Sequence, residues 1–462
     1  MNRTKRLGIG LGLSLLLAAA ASAQEAPPEL ISINVAGAGF AGHVLPGKEG
    51  TNYFFPKDGY FQKWADKGIK TVRFSFKWER LQPKAMGDFD QAYAAHIDKA
   101  INQAGSAGIK VLLDIHNYGR YYGDIVGREV PIDAYRNLME RIALRWGSNP
   151  AVYAYDLMNE PYGDAEKYWF DMAQAGIDGI RRYDKRSTLY IEGRRWSSSY
   201  HWPKYNDDLL DLKDPSNNIV YSAHMYVDKN ASGLYKEKIG TNGFDPDPMV
   251  GVQRVKPFVE WLAKHGQRGH IGEFGVPYDD PRWLEIMDNT LAYLQKNCIP
   301  LSYWAAGSYW GRDYPMSVEP QDGKDRPQWS VLKKYLGTGG CSTIGPKREV
   351  SDSGQPQKPD FGNSKPVGPV NPVNVTPTAP VYTTPVAVLP SPAPTVPSTP
   401  NASTDSGAVP GTMPVSSQPA SASTVADRPV SRAERSSTGP QWAGKQEWAG
   451  KETPAYQTIS AQ

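Results

Sequence analysis

The chain is poor in cysteine, with two in 462 residues, Cys298 and Cys341. Two thiols are too few for a cysteine-built metal centre, which takes three or four. Cys298 closes a helical pattern and Cys341 follows the last one, so a bridge would staple the end of the domain; the spacing leaves pairing open. Charge of one sign is missing too: the net charge is +3, with no Lys/Arg run, which gives no nucleic-acid surface. There is no H-E-x-x-H or comparable ligand spacing, and only the acidic stretch Asp245–Asp247 invites even a surface calcium ion. There is no G-x-S-x-G elbow for a serine nucleophile, and no glycine-rich phosphate loop after the first strand. Neither a metal nor an organic cofactor is expected.

Long apolar runs are also scarce. One stands at the start, Leu7 to Ala20, behind the basic Arg3, Lys5 and Arg6 and before the small-residue stretch Ala21-Ser22-Ala23. That order reads as a secretory signal peptide over residues 1–23, short of the ~20 apolar residues of a membrane span. The expectation is an exported chain with no span in its mature form. Residues 24–340 are globular in composition, and residues 341–462 form a low-complexity tail rich in Pro, Ser, Thr, Val and Ala. Such a tail cannot bury enough apolar surface to offset its chain entropy. Near its end Trp442-Ala-Gly-Lys445 is repeated as Trp448-Ala-Gly-Lys451.

What the chain has in abundance is aromatic residues. Its 13 Trp and 26 Tyr exceed what a core needs, and many fall in loop-like sequence, where rings suit the flat apolar faces of sugars. Eight short apolar or β-branched runs predict strands: Leu30–Val35, Thr71–Phe76, Lys110–Ile115, Val152–Met158, Thr188–Glu192, Ile219–Met225, His270–Phe274 and Leu301–Trp304. Amphipathic stretches between them, such as Ala134–Trp146, Val252–His265 and Trp283–Gln295, have a period near 3.6. Gly68, Gly108, Gly147 and Gly266 fall where helices should end. Eight strands alternating with helices predict one (β/α)8 barrel, most simply a monomer.

Such barrels carry their chemistry at the C-terminal strand ends. Glu160 stands there after strand four and Glu273 after strand seven. Two facing carboxyl groups, one protonated and one ionised, are what acetal hydrolysis requires. Around them Arg73 would keep Glu273 ionised, and Asn159 would bond a sugar 2-hydroxyl. His224 would orient Glu160, Tyr226 would donate to Glu273, and Trp304 would floor the reacting sugar. Trp196, Trp202 and Trp310 are candidates for outer sugar subsites.

These residues resemble glycoside hydrolase family five, the cellulase-type enzymes. The resemblance runs from Ile33-Asn34-Val-Ala-Gly37 to about Tyr335. It rests on Arg73, His116, Asn159-Glu160-Pro161, His224-Met225-Tyr226, Glu273 and Trp304, in the family's order. Asp114-Ile-His-Asn-Tyr118, Gly123-Asp-Ile-Val-Gly127 and Gly193-Arg-Arg-Trp196 are similar to its fungal and bacterial endoglucanases. The resemblance implies a retaining endo-β-1,4-glucanase with a polysaccharide substrate, Glu160 as general acid/base and Glu273 as nucleophile. For that role Glu160 should have a raised pKa. The segments Arg120-Tyr-Tyr122 and Lys236–Asp247 depart from the pattern and would line outer subsites. Two rivals remain: the same fold acting on β-mannan, xyloglucan or a branched bacterial exopolysaccharide, and a carbohydrate-binding protein without turnover.

Overall fold

The computed structural model describes residues 28–346; the leader, most of the tail and the Trp-Ala-Gly-Lys repeat lie outside them. Eight parallel strands close into a barrel in sequence order: β1 Ile31–Val35, β2 Thr71–Phe76, β3 Lys110–Ile115, β4 Val152–Asp156, β5 Thr188–Glu192, β6 Ile219–His224, β7 Gly269–Phe274 and β8 Leu301–Ala306. The helices are α1 Tyr60–Asp66, α2 Gln91–Ser106, α3 Ile132–Trp146, α4 Trp169–Tyr183, α5 Val250–His265, α6 Pro281–Lys296 and α7 Pro327–Leu332. The fold is the expected (β/α)8 barrel. Each of the four expected glycines lies at or just after a helix end, and Gly266 caps α5 in the left-handed region at φ 61°. Asp90 and Asp280 cap α2 and α6 by accepting from the backbone N–H of Tyr93 and Arg282.

After β5 no full helix forms. The short turns Trp202–Tyr205 and Asp207–Asp211 take its place. Trp202, a candidate subsite ring, is instead core: it is fully buried against Phe258 and Trp261 of α5, at 4.7 and 5.7 Å between ring centroids. No helix among the described residues is long and apolar enough to cross a membrane.

Strand alternation sorts the side chains. Val72, Phe74, Phe76, Val111, Leu113 and Ile115 face outward into the main core under the helices. The inward positions are layered. Leu112, Ala154, Tyr190 and Val220 fill the floor. Above them Ser32, Ser222, His270 and Ser302 form a hydrogen-bonded layer. Above that lie the charged groups of the site. Cys298, just past α6, and Cys341 are joined in a disulfide with 5.6 Å between Cα atoms, so the open pairing is settled. Packing continues past Gly340: Ile344 lies against the barrel floor, and the Gly345 N–H donates to Cys298 O at 2.8 Å.

Candidate active site

Arg73 is the hub. It is not at its strand end but third of six in β2, wholly buried and facing the barrel interior. Its guanidinium meets four carboxylates: Asp156 at 2.8 Å, Glu192 at 2.9 Å, Asp114 at 3.1 Å and Glu273 at 3.3 Å. It also donates to Asn159 Oδ1 at 2.8 Å and Asn34 Oδ1 at 3.0 Å. Burial disfavours the Arg73 cation, but the four carboxylates outweigh that and hold its pKa well above the usual value. The acids divide their roles. Burial, aided by the charge of Glu192, pushes Asp156 well above the ordinary carboxylate range despite Arg73. Burial also works against the Asp114 carboxylate, but Arg73 and His116 overcome it and hold Asp114 low.

The two glutamates meet across this hub. Glu273 is almost fully buried; Tyr226 donates to its Oε2 at 2.6 Å. Burial and the nearby Glu273 and Glu160 raise the Tyr226 pKa well above its usual value, so the phenol stays a donor. Glu160, with 12% of its side chain exposed, has His224 Nδ1 at 2.7 Å from Oε1. Its backbone lies at φ 46°, a left-handed conformation unusual for glutamate. One oxygen each of Glu160 and Glu273 and one ring nitrogen of His224 lie within 4.8 Å of one another. Arg73 places positive charge beside this cluster, 3.3 Å from Glu273.

Local geometry explains how Glu273 reaches the interior. The pairing of β6 with β7 runs Ala223 to Ile271 and then His224 to Glu273, skipping Gly272. This bulge turns Glu273 inward, beside the inward-facing His270 only three residues earlier. A Cβ on Gly272 would stand 2.8 Å from His224 Nε2 and 2.7 Å from Ser222 Oγ, so only glycine fits.

Aromatic residues frame the cleft. His116, held by Asp114 at 2.8 Å, stacks on Trp304 at 5.7 Å and 17° between planes. Trp304 Nε1 donates to Tyr314 OH at 2.9 Å, and Tyr314 stacks on Trp310 at 4.0 Å. On the Glu160 side, Trp196 stacks on Tyr162 at 5.2 Å, and Arg120 covers the Tyr162 ring at 3.8 Å. The Lys236–Asp247 loop instead packs toward α6: Phe244 lies 6.0 Å from Trp283, and Asp245 pairs with Arg282 at 3.2 Å.

Arg73, Asn159, Glu160, His224, Tyr226 and Glu273 are thus brought into one connected cluster, with His116 and Trp304 beside it. Sequence reading missed Asp156 and Glu192 and gave Asn34 and Asp114 no role. The available signal was parity: each sits at an inward position near a C-terminal strand end. Asn159 Oδ1 is taken by Arg73, while its buried Nδ2 has no hydrogen-bond partner among the described residues.

The comparisons agree with this architecture. Residues 33–309 match the family described as Cellulase (glycosyl hydrolase family 5). The chain is 32% identical over 309 residues to "Endoglucanase gh5-1" of Neurospora crassa, covering 66% of this chain and 76% of that one. It is 33% identical over 313 residues to "Probable endo-beta-1,4-glucanase B" of Aspergillus oryzae, covering 66% and 90%. The structure of Pseudomonas stutzeri endoglucanase Cel5A in complex with cellobiose matches at 43% identity and TM-score 0.66, covering 70% of this chain and 98% of that one. With a closed (β/α)8 barrel and two glutamates meeting at its mouth, this chain belongs to glycoside hydrolase family 5, the cellulase family.

Proposed function

We propose that the protein is an exported, retaining endo-β-1,4-glucanase. The observation that carries the retaining mechanism is the close approach of Glu160 and Glu273, within 4.8 Å at their nearest ligand-type atoms. Retaining glycosidases hold their carboxyl groups ~5–5.5 Å apart, whereas inverting ones leave ~6.5–9.5 Å for a water.

The chemistry follows from the surroundings. Arg73 and Tyr226 favour the ionised, aimed Glu273, which attacks the anomeric carbon as the glycosidic C–O bond breaks. Glu160 delivers its proton to the departing oxygen, leaving a glycosyl ester on Glu273. Glu160, now ionised, takes a proton from water as that water attacks the ester, releasing the sugar and restoring both carboxyl groups. The spare Nδ2 of Asn159 suits the sugar 2-hydroxyl, a contact that strengthens in the transition state. The stacked Trp304 and His116 offer an apolar floor for the reacting sugar, with Trp310 beyond. The Trp196–Tyr162 stack adjoins Glu160 through Pro161 and suits the leaving-group side.

A β-1,4-glucan substrate is supported by the named activities of the relatives and by the cellobiose held by the Pseudomonas stutzeri enzyme. Export is supported by the leader pattern of residues 1–23 and by the disulfide. Reducing-sugar release and viscosity are the test, on carboxymethylcellulose, barley β-glucan, glucomannan and xylan. A fast viscosity drop on the first two with little on xylan is expected. The first-formed product should carry the β-anomer by proton NMR; an α-anomer would overturn retention.

A further inference from the structure

Glu192, at the C-terminal end of β5, is a buried acid that the mechanism above does not use. It is fully buried and touches three parts of the machinery at once. Oε1 lies 2.9 Å from Arg73 Nη2 and 2.9 Å from His224 Nε2, the latter a charge contact rather than a linear hydrogen bond. Oε2 accepts the backbone N–H of Glu160 at 2.6 Å. The indole of Trp169 donates to the Glu192 carbonyl at 2.7 Å, fixing the strand end itself.

We propose that Glu192 is a positioning residue that prepares Glu160 as the general acid, by anchoring the Glu160 peptide and by setting the proton on the far side of His224. This rests on the reading of Glu160 as acid/base. The peptide anchor addresses a specific cost, because Glu160 is held at φ 46° and a left-handed non-glycine residue persists only when its surroundings enforce it. The Glu192 carboxylate beside Nε2 favours a proton on that nitrogen. The opposite nitrogen, Nδ1, is then the one bonded to Glu160 Oε1 at 2.7 Å. A single proton occupies that bond. It rests on the carboxyl when Glu160 is ready to act as an acid and passes toward the imidazole when Glu160 is ionised.

His224 is faced by Glu160 after β4, Glu192 on β5 and Glu273 on β7. Arg73 on β2, His270 on β7 and Tyr118 after β3 are titratable groups nearby, with Tyr226 two residues along. In the loop after β5, Arg194 is turned to Asp208, and Arg195 lies over the rings of Trp196 and Tyr205. Burial opposes the His224 imidazolium, but the charges of Glu192 and Glu273, the bond to Glu160 and the close contact with Glu192 hold its pKa well above the ordinary value. Removing the Glu192 charge therefore lets His224, bonded to Glu160, give up its proton at lower pH. The alkaline limb of kcat/KM reports the acid of the free enzyme, so it moves down.

The experiment compares wild type, Glu192→Gln and Glu192→Asp on carboxymethylcellulose and on 2,4-dinitrophenyl β-cellobioside, whose leaving group needs no proton. Thermal melts confirm folding. For Glu192→Gln, kcat/KM on carboxymethylcellulose should fall about 100-fold or more and on the activated substrate less than about tenfold. The alkaline limb should shift down by about one unit. Glu192→Asp keeps the charge and so the limb, but shortens the reach to the Glu160 peptide, and should show the same selective loss. If Glu192→Gln does not fold, that selective loss is read on Glu192→Asp. Equal losses on both substrates with an unmoved limb, or no loss, would overturn the role of Glu192. A wild type inactive on both substrates would overturn the glucanase reading instead.

Discussion

Arg73 shows how one residue sets the charge of the whole site. Its cation is shared by four carboxylates in a water-poor barrel, where charges must be paired or neutral. Burial and the charge of Glu192 push the Asp156 carboxyl up despite Arg73, while Arg73 and His116 together overcome burial and hold Asp114 low. Two glutamates of the same chemistry then sit in unlike surroundings: Glu273 against Arg73 and Tyr226, Glu160 against His224. Unlike surroundings are what separates an acid from a nucleophile. Glu273→Gln should lose hydrolysis of both carboxymethylcellulose and the dinitrophenyl substrate by several orders of magnitude. Glu160→Gln should lose about 10²–10⁴-fold on carboxymethylcellulose and much less on glycosylation by the activated substrate. Both variants are isosteric, so melting temperatures should move little; activity retained in either would remove that residue from its role.

At the scale of elements, two segments store or absorb constraint. After β5, Arg195, Trp196 and Ser197 are left-handed in succession, at φ 58°, 55° and 54°. Each such residue costs about 1–2 kcal/mol. Ser197 Oγ bonding to Gly193 N and Ser222 O, and Arg194 bonding to Asp208, hold the turn that presents Trp196 to Tyr162. The other segment lies between Cys298 and Cys341, a separation of 43 residues that includes β8, Trp304 and Trp310. Closing a loop of that length restricts the unfolded chain by about 4 kcal/mol. Cys298→Ser with Cys341→Ser should therefore lower the unfolding free energy by up to about 4 kcal/mol in urea melts. The kcat should remain within about twofold, since neither sulfur touches the site. An unchanged melt would show that the bridge adds nothing to the barrel.

For the whole molecule, the expectation is that the barrel by itself is the catalytic unit. About 70% of this chain covers 98% of the Pseudomonas stutzeri structure, so the tail has no counterpart there. A chain ending after Pro346 should keep the melting temperature and the carboxymethylcellulose activity of the full protein. A large loss of either would give the tail a part in the fold or the site. A cut before Cys341 should behave differently, because it removes the disulfide and the packing of Ile344 on the barrel floor.

Much of this was legible in the amino-acid order. Alternating apolar runs and helical periods fixed eight strands, and β2, β3 and β5 begin and end where the pattern places them. Local signals suffice there because burial of a strand or a helix face is written in neighbouring residues. The glutamates, His224 and Tyr226 were legible by their places near strand ends, and Arg73 by the family pattern it fills. Three things were not. Strict alternation from His270 would send Glu273 outward, and only the bulge at Gly272, set by pairing with β6, turns it in. Trp202 reads like Trp196 along the chain, yet α5 buries one while the left-handed turn leaves the other half-buried against Tyr162. Asp156 and Glu192 are ordinary strand residues until barrel closure brings the carboxylates of four strands onto one guanidinium and one imidazole. Sequence determined which elements form and which residues can react. Contacts between distant strands decided which side chains meet, because proximity across a closed barrel depends on register rather than on distance along the chain.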